Sequence, residues 1–158
     1  MLRALDGVLT KGQQYAKDHG MTESALLDAC LAPDMFPLKK QVQIACDNAK
    51  GGAARLSGSE APVFEDNEAS FDELHARITK TLAFLETIKE EQFADAASRQ
   101  ITLPYFPGKY MTGEGYAVEY VLPNFFFHVT TAYAILRKEG VAVGKADYLG
   151  GLPLKDVA

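Results

Sequence analysis

Six apolar residues, Met35, Leu38, Val42, Ala45, Ala49 and Leu56, keep an a/d heptad register. A seam of this kind needs other helices to cover it, because a single amphipathic helix of this length is marginal in water. Asp34 suits the N-cap and Pro37 is tolerated in a first turn, so the spacing predicts a helix from Met35 to Leu56. A second seam runs through Phe71, Leu74, Ile78, Leu85 and Ile88. It follows Ser70 with Glu73 three residues on, the pattern of a capping box. Leu2, Leu5 and Leu9 predict an earlier helix over 2–19, closed by Gly20 in the left-handed C-cap position. His19 in its last turn complements the helix C-terminus. A shorter helix follows, capped by Thr22 and carrying Leu26, Leu27, Cys30 and Leu31. The last helix begins at Leu122-Pro123-Asn124, with proline suited to the first helical position. It is apolar all round through Phe125, Phe126, Phe127, Val129, Tyr133, Ile135 and Leu136, and ends at Gly140. A helix of that composition is buried, or lies in a dimer interface as well as a core.

The class is therefore all-α, with one interruption. Between Ser98 and Val121 the period shortens: Ile101 and Leu103 alternate with polar residues, as do Val118 and Tyr120 around Glu119. With turn signals at Pro104, Pro107-Gly108 and Gly113-Glu114-Gly115, the segment predicts a small β-hairpin or extended arm before the last helix. Residues 57–69 read as a loop, and 141–158 as a tail wrapping the surface. At 158 residues the whole chain, 1–158, is expected to form a single domain that folds without disulfide or metal.

Charge and composition narrow the function. A net charge of −5, with its 16 Lys and Arg scattered, gives no basic face for nucleic acid. No apolar stretch is long enough to span a bilayer, and the first residues lack a secretory core and cleavage site. A cytoplasmic protein with no membrane contact is expected, with Cys30 and Cys46 as free, buried thiols. The glycines form no phosphate loop, and neither a Gly-x-Ser-x-Gly elbow nor a His-Glu-x-x-His helix occurs.

Of three histidines, His128 stands out, because it sits mid-helix among aromatics. An unpartnered imidazole there costs about 1–3 kcal/mol, so a hydrogen-bonding partner is expected. His75 flanks the second seam, where a packed, hydrogen-bonded side chain is the ordinary role. Asn124 lies one turn before His128 on the same helix face. Asp34, Gln41, Asn48 and Arg55, each seven apart, form a polar row beside the first seam. The row is either a boundary between core and water or a line of groups facing a cavity in the bundle. His128, Asn124, Gln41, Asp34 and Tyr133 are the candidate ligand-pocket residues.

Two runs, LAPDMFPLKKQVQIACDNAKGGAARL (residues 31–56) and LPNFFFHVTTAYAILRKEGVAVGKADYLG (residues 122–150), resemble a bacterial family catalogued as a domain of unknown function within the DinB/YfiT-like metalloenzyme superfamily. The resemblance covers nearly the whole chain. It implies a DinB-like up-down-down-up four-helix bundle, usually a homodimer. Metal-binding relatives use one histidine on the second helix and two, four residues apart, on the last, which ends in Leu-Arg-x-x-Gly. Leu136, Arg137 and Gly140 match that ending. On this register His128 takes the place of the second histidine of the pair and Asn124 the first, while the second helix offers Gln41 or Gln43. One imidazole and two amides make a degenerate metal triad.

Two readings follow. The first is a bundle that binds a small ligand or acts non-catalytically, with no cofactor. The alternative is a divalent-metal-dependent enzyme of the thiol-conjugate transferase or hydrolase type, with Zn, Ni or Mn held in part by His128. They separate on whether Asn124, Gln41 and His128 converge on one point.

Overall fold

The computed structural model describes residues 1–157. Its elements are α1 (Leu2–Asp18), α2 (Glu23–Leu27), α3 (Leu38–Ser57), α4 (Phe71–Thr87), a 3-10 turn (Glu90–Phe93), β1 (Gln100–Ile101), β2 (Met111–Thr112), α5 (Gly113–Gly115), a π-helical stretch (Tyr116–Val121), α6 (Leu122–Lys138) and α7 (Lys145–Leu149).

Side-chain pairs set the helix directions. Arg3 meets Glu86 and Gln13 meets Asp72, so α1 and α4 are antiparallel. Gln43 meets Glu68 just before α4, and Asp47 meets Arg77 within it, so α3 and α4 are parallel. Gln41 meets His128, and Gly52 packs against Val121, so α3 and α6 are antiparallel. The four long helices thus run up, down, down, up, as the resemblance implied. Parallel neighbours require a connection that returns the full length of α3, roughly 30 Å at 1.5 Å per residue. The segment 58–70 is long enough to do so at about 3.3 Å per residue.

The seams fill the interior. Leu5, Leu9, Leu38, Val42, Phe71, Leu74, Ile78, Ile135 and Leu136 are all buried in one cluster. Each fully buried Leu or Ile contributes about 1.5–3 kcal/mol. α4 opens with the predicted capping box: Ser70 Oγ accepts from Glu73 N–H at 3.2 Å, and Glu73 accepts from Ser70 N–H at 3.1 Å. Gly20 and Gly140 close their helices with φ of +63° and +97°. His19 stacks on Tyr15 and bonds its carbonyl through Nδ1 at 2.9 Å, in the last turn as expected.

Four expectations change. α3 starts at Leu38, not Met35, and Asp34 lies in the preceding turns, exposed and capping nothing. Pro37 explains this, since the residue before a proline is driven out of the helical region and Pro37 itself is extended at ψ 166°. Cys30 is half-buried beyond the end of α2, while Cys46 is buried. The last residues are not all surface wrap, since 145–149 form α7, tied to α1 by Lys11 and Asp147 at 2.7 Å.

The fourth change concerns the insert. A hairpin is present, with Gln100 paired to Thr112 and Ile101 to Met111. Val118 and Tyr120 belong to neither strand; the chain turns helical at Gly113 and continues unbroken to Lys138. Thr112 Oγ1 accepts from Gly115 N–H and starts this run. Gly113 is required there, because a Cβ would collide with Ala96 O. Pro123 therefore sits inside a helical run, with no N–H for the carbonyl one turn back. The widened π-turns 116–121 lie immediately before it. This extension carries Tyr116 and Tyr120 to the end of α3. Tyr116, Ile101 and Leu103 form a second small core there, against Leu56 and Val121.

Candidate functional site

His128 has the partner its burial demands. Its Nδ1 lies 2.7 Å from Gln41 Oε1, and Gln41 Nε2 donates to Phe36 O at 2.9 Å. Gln41 spends its N–H on a carbonyl, so its oxygen faces the ring and His128 Nδ1 carries the proton. Burial lowers the His128 pKa below the ordinary imidazole value, which keeps the ring neutral. The chain His128–Gln41–Phe36 fixes the entry of α3.

Beside this chain, α3, α6, the π-turns and the loops border a half-open cavity of about 580 Å³. Its apolar walls are Phe36, Ile44, Leu103, Tyr105, Tyr116 and Tyr120. Tyr116 and Tyr120 stack at 5.6 Å between ring centres. Asn48, Asn124 and Arg55 supply the open polar groups. Asn48 Oδ1 itself is turned away from the opening, closed even to water, and has no hydrogen-bond partner among the described residues. Arg55 donates to Tyr116 Oη at 3.2 Å, and no carboxylate pairs with it among the described residues.

The remaining charged wall residues are already engaged. Arg77, with only 1% of its side chain exposed, bonds Asp47 and Glu68 at 2.8 Å and Asp66 at 2.9 Å. Lys40 holds Asp66 at 2.5 Å, and Lys50 holds Asp47 at 2.9 Å while lying over the Phe64 ring. Burial disfavours the Arg77 charge, but Glu68, Asp47 and Asp66 outweigh it and raise its pKa. Three cations thus neutralise three carboxylates, and loop 58–70 is pinned across α3 and α4. Cys46, behind this network, is pushed up to about 11 by burial and is a thiol at neutral pH.

The sequence candidates therefore separate. Gln41 and His128 meet each other, and Asn124 faces the cavity. Asp34 is exposed, outside the cavity wall. Tyr133 donates to Val143 O at 3.4 Å and stacks edge-on with Tyr148, holding the C-terminal segment. His75 bonds Asp6 across α1 and α4, the structural role expected of it. Asn48 and Arg55 come from the predicted polar row, which breaks because its first residue precedes the helix and Gln41 turns to His128. The Arg77 network was not expected; the acids Glu65, Asp66 and Glu68 just before α4 were its only trace in the sequence.

The residues at the triad positions do not fit a transition metal. They offer one imidazole and amide oxygens, the Gln41 oxygen already accepts from His128, and no set of three His, Cys, Asp or Glu converges among the described residues.

The model of a family described as a domain of unknown function (DUF1993) matches residues 1–149. The crystal structure of a DinB family member protein from Shewanella denitrificans is 46% identical and superposes with a TM-score of 0.96, covering 99% of this chain and 89% of that one. No curated protein sequence matches the chain.

Proposed function

This chain belongs to the DUF1993 family, and from that premise we propose that it is a binding module taking a small organic molecule in the cavity between α3 and α6. The observation that carries this is Arg55, a guanidinium on the cavity wall that no carboxylate pairs among the described residues, beside the Asn48 and Asn124 side chains. The cavity has the volume of small-molecule sites, and its wall sets Phe36, Ile44, Leu103 and three tyrosines against six polar or charged side chains.

The test is ligand-observed NMR with a fragment library on the wild type and on Asn124→Trp, which fills the cavity from its half-exposed edge. Hits that vanish in an equally stable Asn124→Trp support the reading. Hits that survive it, or no hits at millimolar concentration, overturn it.

A divalent-metal-dependent enzyme is the second reading, favoured by one observation. His128 Nδ1–H is held by an oxygen, the orientation that metal-ligating histidines use to leave Nε2 free. Metal content near one equivalent, lost in His128→Ala, would establish it in place of the first.

A homodimer is part of the proposal. Val118, Leu122 and Phe126 stand on successive turns of one helical run and are 59%, 48% and 40% exposed. A self-complementary contact of two such rows would cover them. Light scattering should give twice the monomer mass, and Phe126→Lys should return it to one.

A further inference from the structure

We infer that the cavity selects a small organic carboxylate, with Arg55 receiving the carboxylate. The inference rests on the cavity reading above and adds the chemical class. Its basis is a charge count. Lys40, Lys50 and Arg77 pair with Asp47, Asp66 and Glu68, three cations against three anions. Among the described residues of the wall, Arg55 is the cation outside that balance. Among the described residues its side chain bonds the neutral hydroxyl of Tyr116 alone, and the buried Tyr116 has its pKa raised, first by desolvation. A guanidinium has five donors arranged as a fork that matches a carboxylate. One of them is used here, so a planar anion can still be bound by two others.

The Tyr116–Tyr120 stack and Ile44 leave an apolar surface for a flat or branched body. A neutral molecule would leave Arg55 without its anion, and a dianion would meet Asp47 and Asp66 in the same wall.

Two probes of one shape isolate the charge: mandelate and its neutral amide, mandelamide. Calorimetric titration at low salt should show mandelate binding about tenfold or more tightly than mandelamide, the effect of one charge-assisted hydrogen bond. Arg55→Gln should abolish that difference. Lys109→Gln, a charge lost in the neighbouring groove, should leave mandelate within about twofold. Arg55 is exposed and its replacement removes one bond, to Tyr116 Oη, so the melting temperature should fall by no more than a few degrees. If mandelamide binds as tightly as mandelate and Asn124→Trp abolishes both, the carboxylate assignment is wrong and the cavity reading stands. If neither binds, both fall.

Discussion

Replacing His128 by alanine separates a structural imidazole from a functional one. The ring is 8% exposed and its Nδ1–H is bonded to Gln41, itself 1% exposed. Truncation strands the Gln41 oxygen in the core, which costs about 1–3 kcal/mol. The lost ring also leaves space that neighbours and water fill only in part, adding about 1 kcal/mol. The expected loss is therefore about 2–4 kcal/mol, or a fall of roughly 5–15 °C in melting temperature for a domain of this size. Urea unfolding followed by far-ultraviolet circular dichroism measures it. A double replacement, His128→Phe with Gln41→Leu, removes donor and acceptor together and should cost less than the two singles summed, by about 1–2 kcal/mol. If His128→Ala costs less than about 0.5 kcal/mol, as an unconstrained surface residue would, the buried-pair argument is refuted.

The same residue sets a pH dependence. Burial holds its folded pKa below the unfolded value of 6.5, so below that pH the unfolded chain gains a proton that the folded one resists. The stability is whole above pH 6.5 and is lost as pH falls from 6.5 toward the lowered folded value. Urea unfolding at about pH 7.5 and about pH 5.5 should show a loss on acidification that is smaller in His128→Phe. Ser70→Ala should cost about 1 kcal/mol by thermal denaturation, since both bonds of its capping box are formed. Arg77→Met should cost about 3 kcal/mol, the low end for removing one partner of a buried pair, because Asp47 and Asp66 are open to water while Glu68 is not. Chemical denaturation would read it, and a cost under about 0.5 kcal/mol would show that loop 58–70 is held by other contacts.

Much of the fold was legible because helical seams state their own period. The capping box at Ser70 and the caps at Gly20 and Gly140 lie where the sequence placed them. The insert was half legible. Ile101 does enter a strand, but Val118 and Tyr120 alternate with polar residues inside a helix, where Tyr116 and Tyr120 share a face at i, i+4. So short a window suits both periods, and Pro123 suited a first turn as well as a widened one. At the site, a partner for His128 was required by physics, but which of Gln41 and Asn124 supplied it depended on the antiparallel contact of α3 and α6. The row spacing treats Gln41 and Asn48 alike; only packing sends one to the imidazole and the other to the cavity wall. Arg77 gave no local sign, since a buried arginine looks like a surface one until loop 58–70 brings its acids back.

The most direct measurement follows side-chain amide signals in a two-dimensional ¹⁵N–¹H spectrum during titration with mandelate. Asn48 and Asn124 carry such groups in the cavity wall, while Gln41 carries one in the His128 pair outside it. Binding in the cavity predicts saturable shifts at Asn48 and Asn124 with Gln41 nearly still. Shifts at Gln41 alone, or small shifts spread over the surface without saturation, would contradict it.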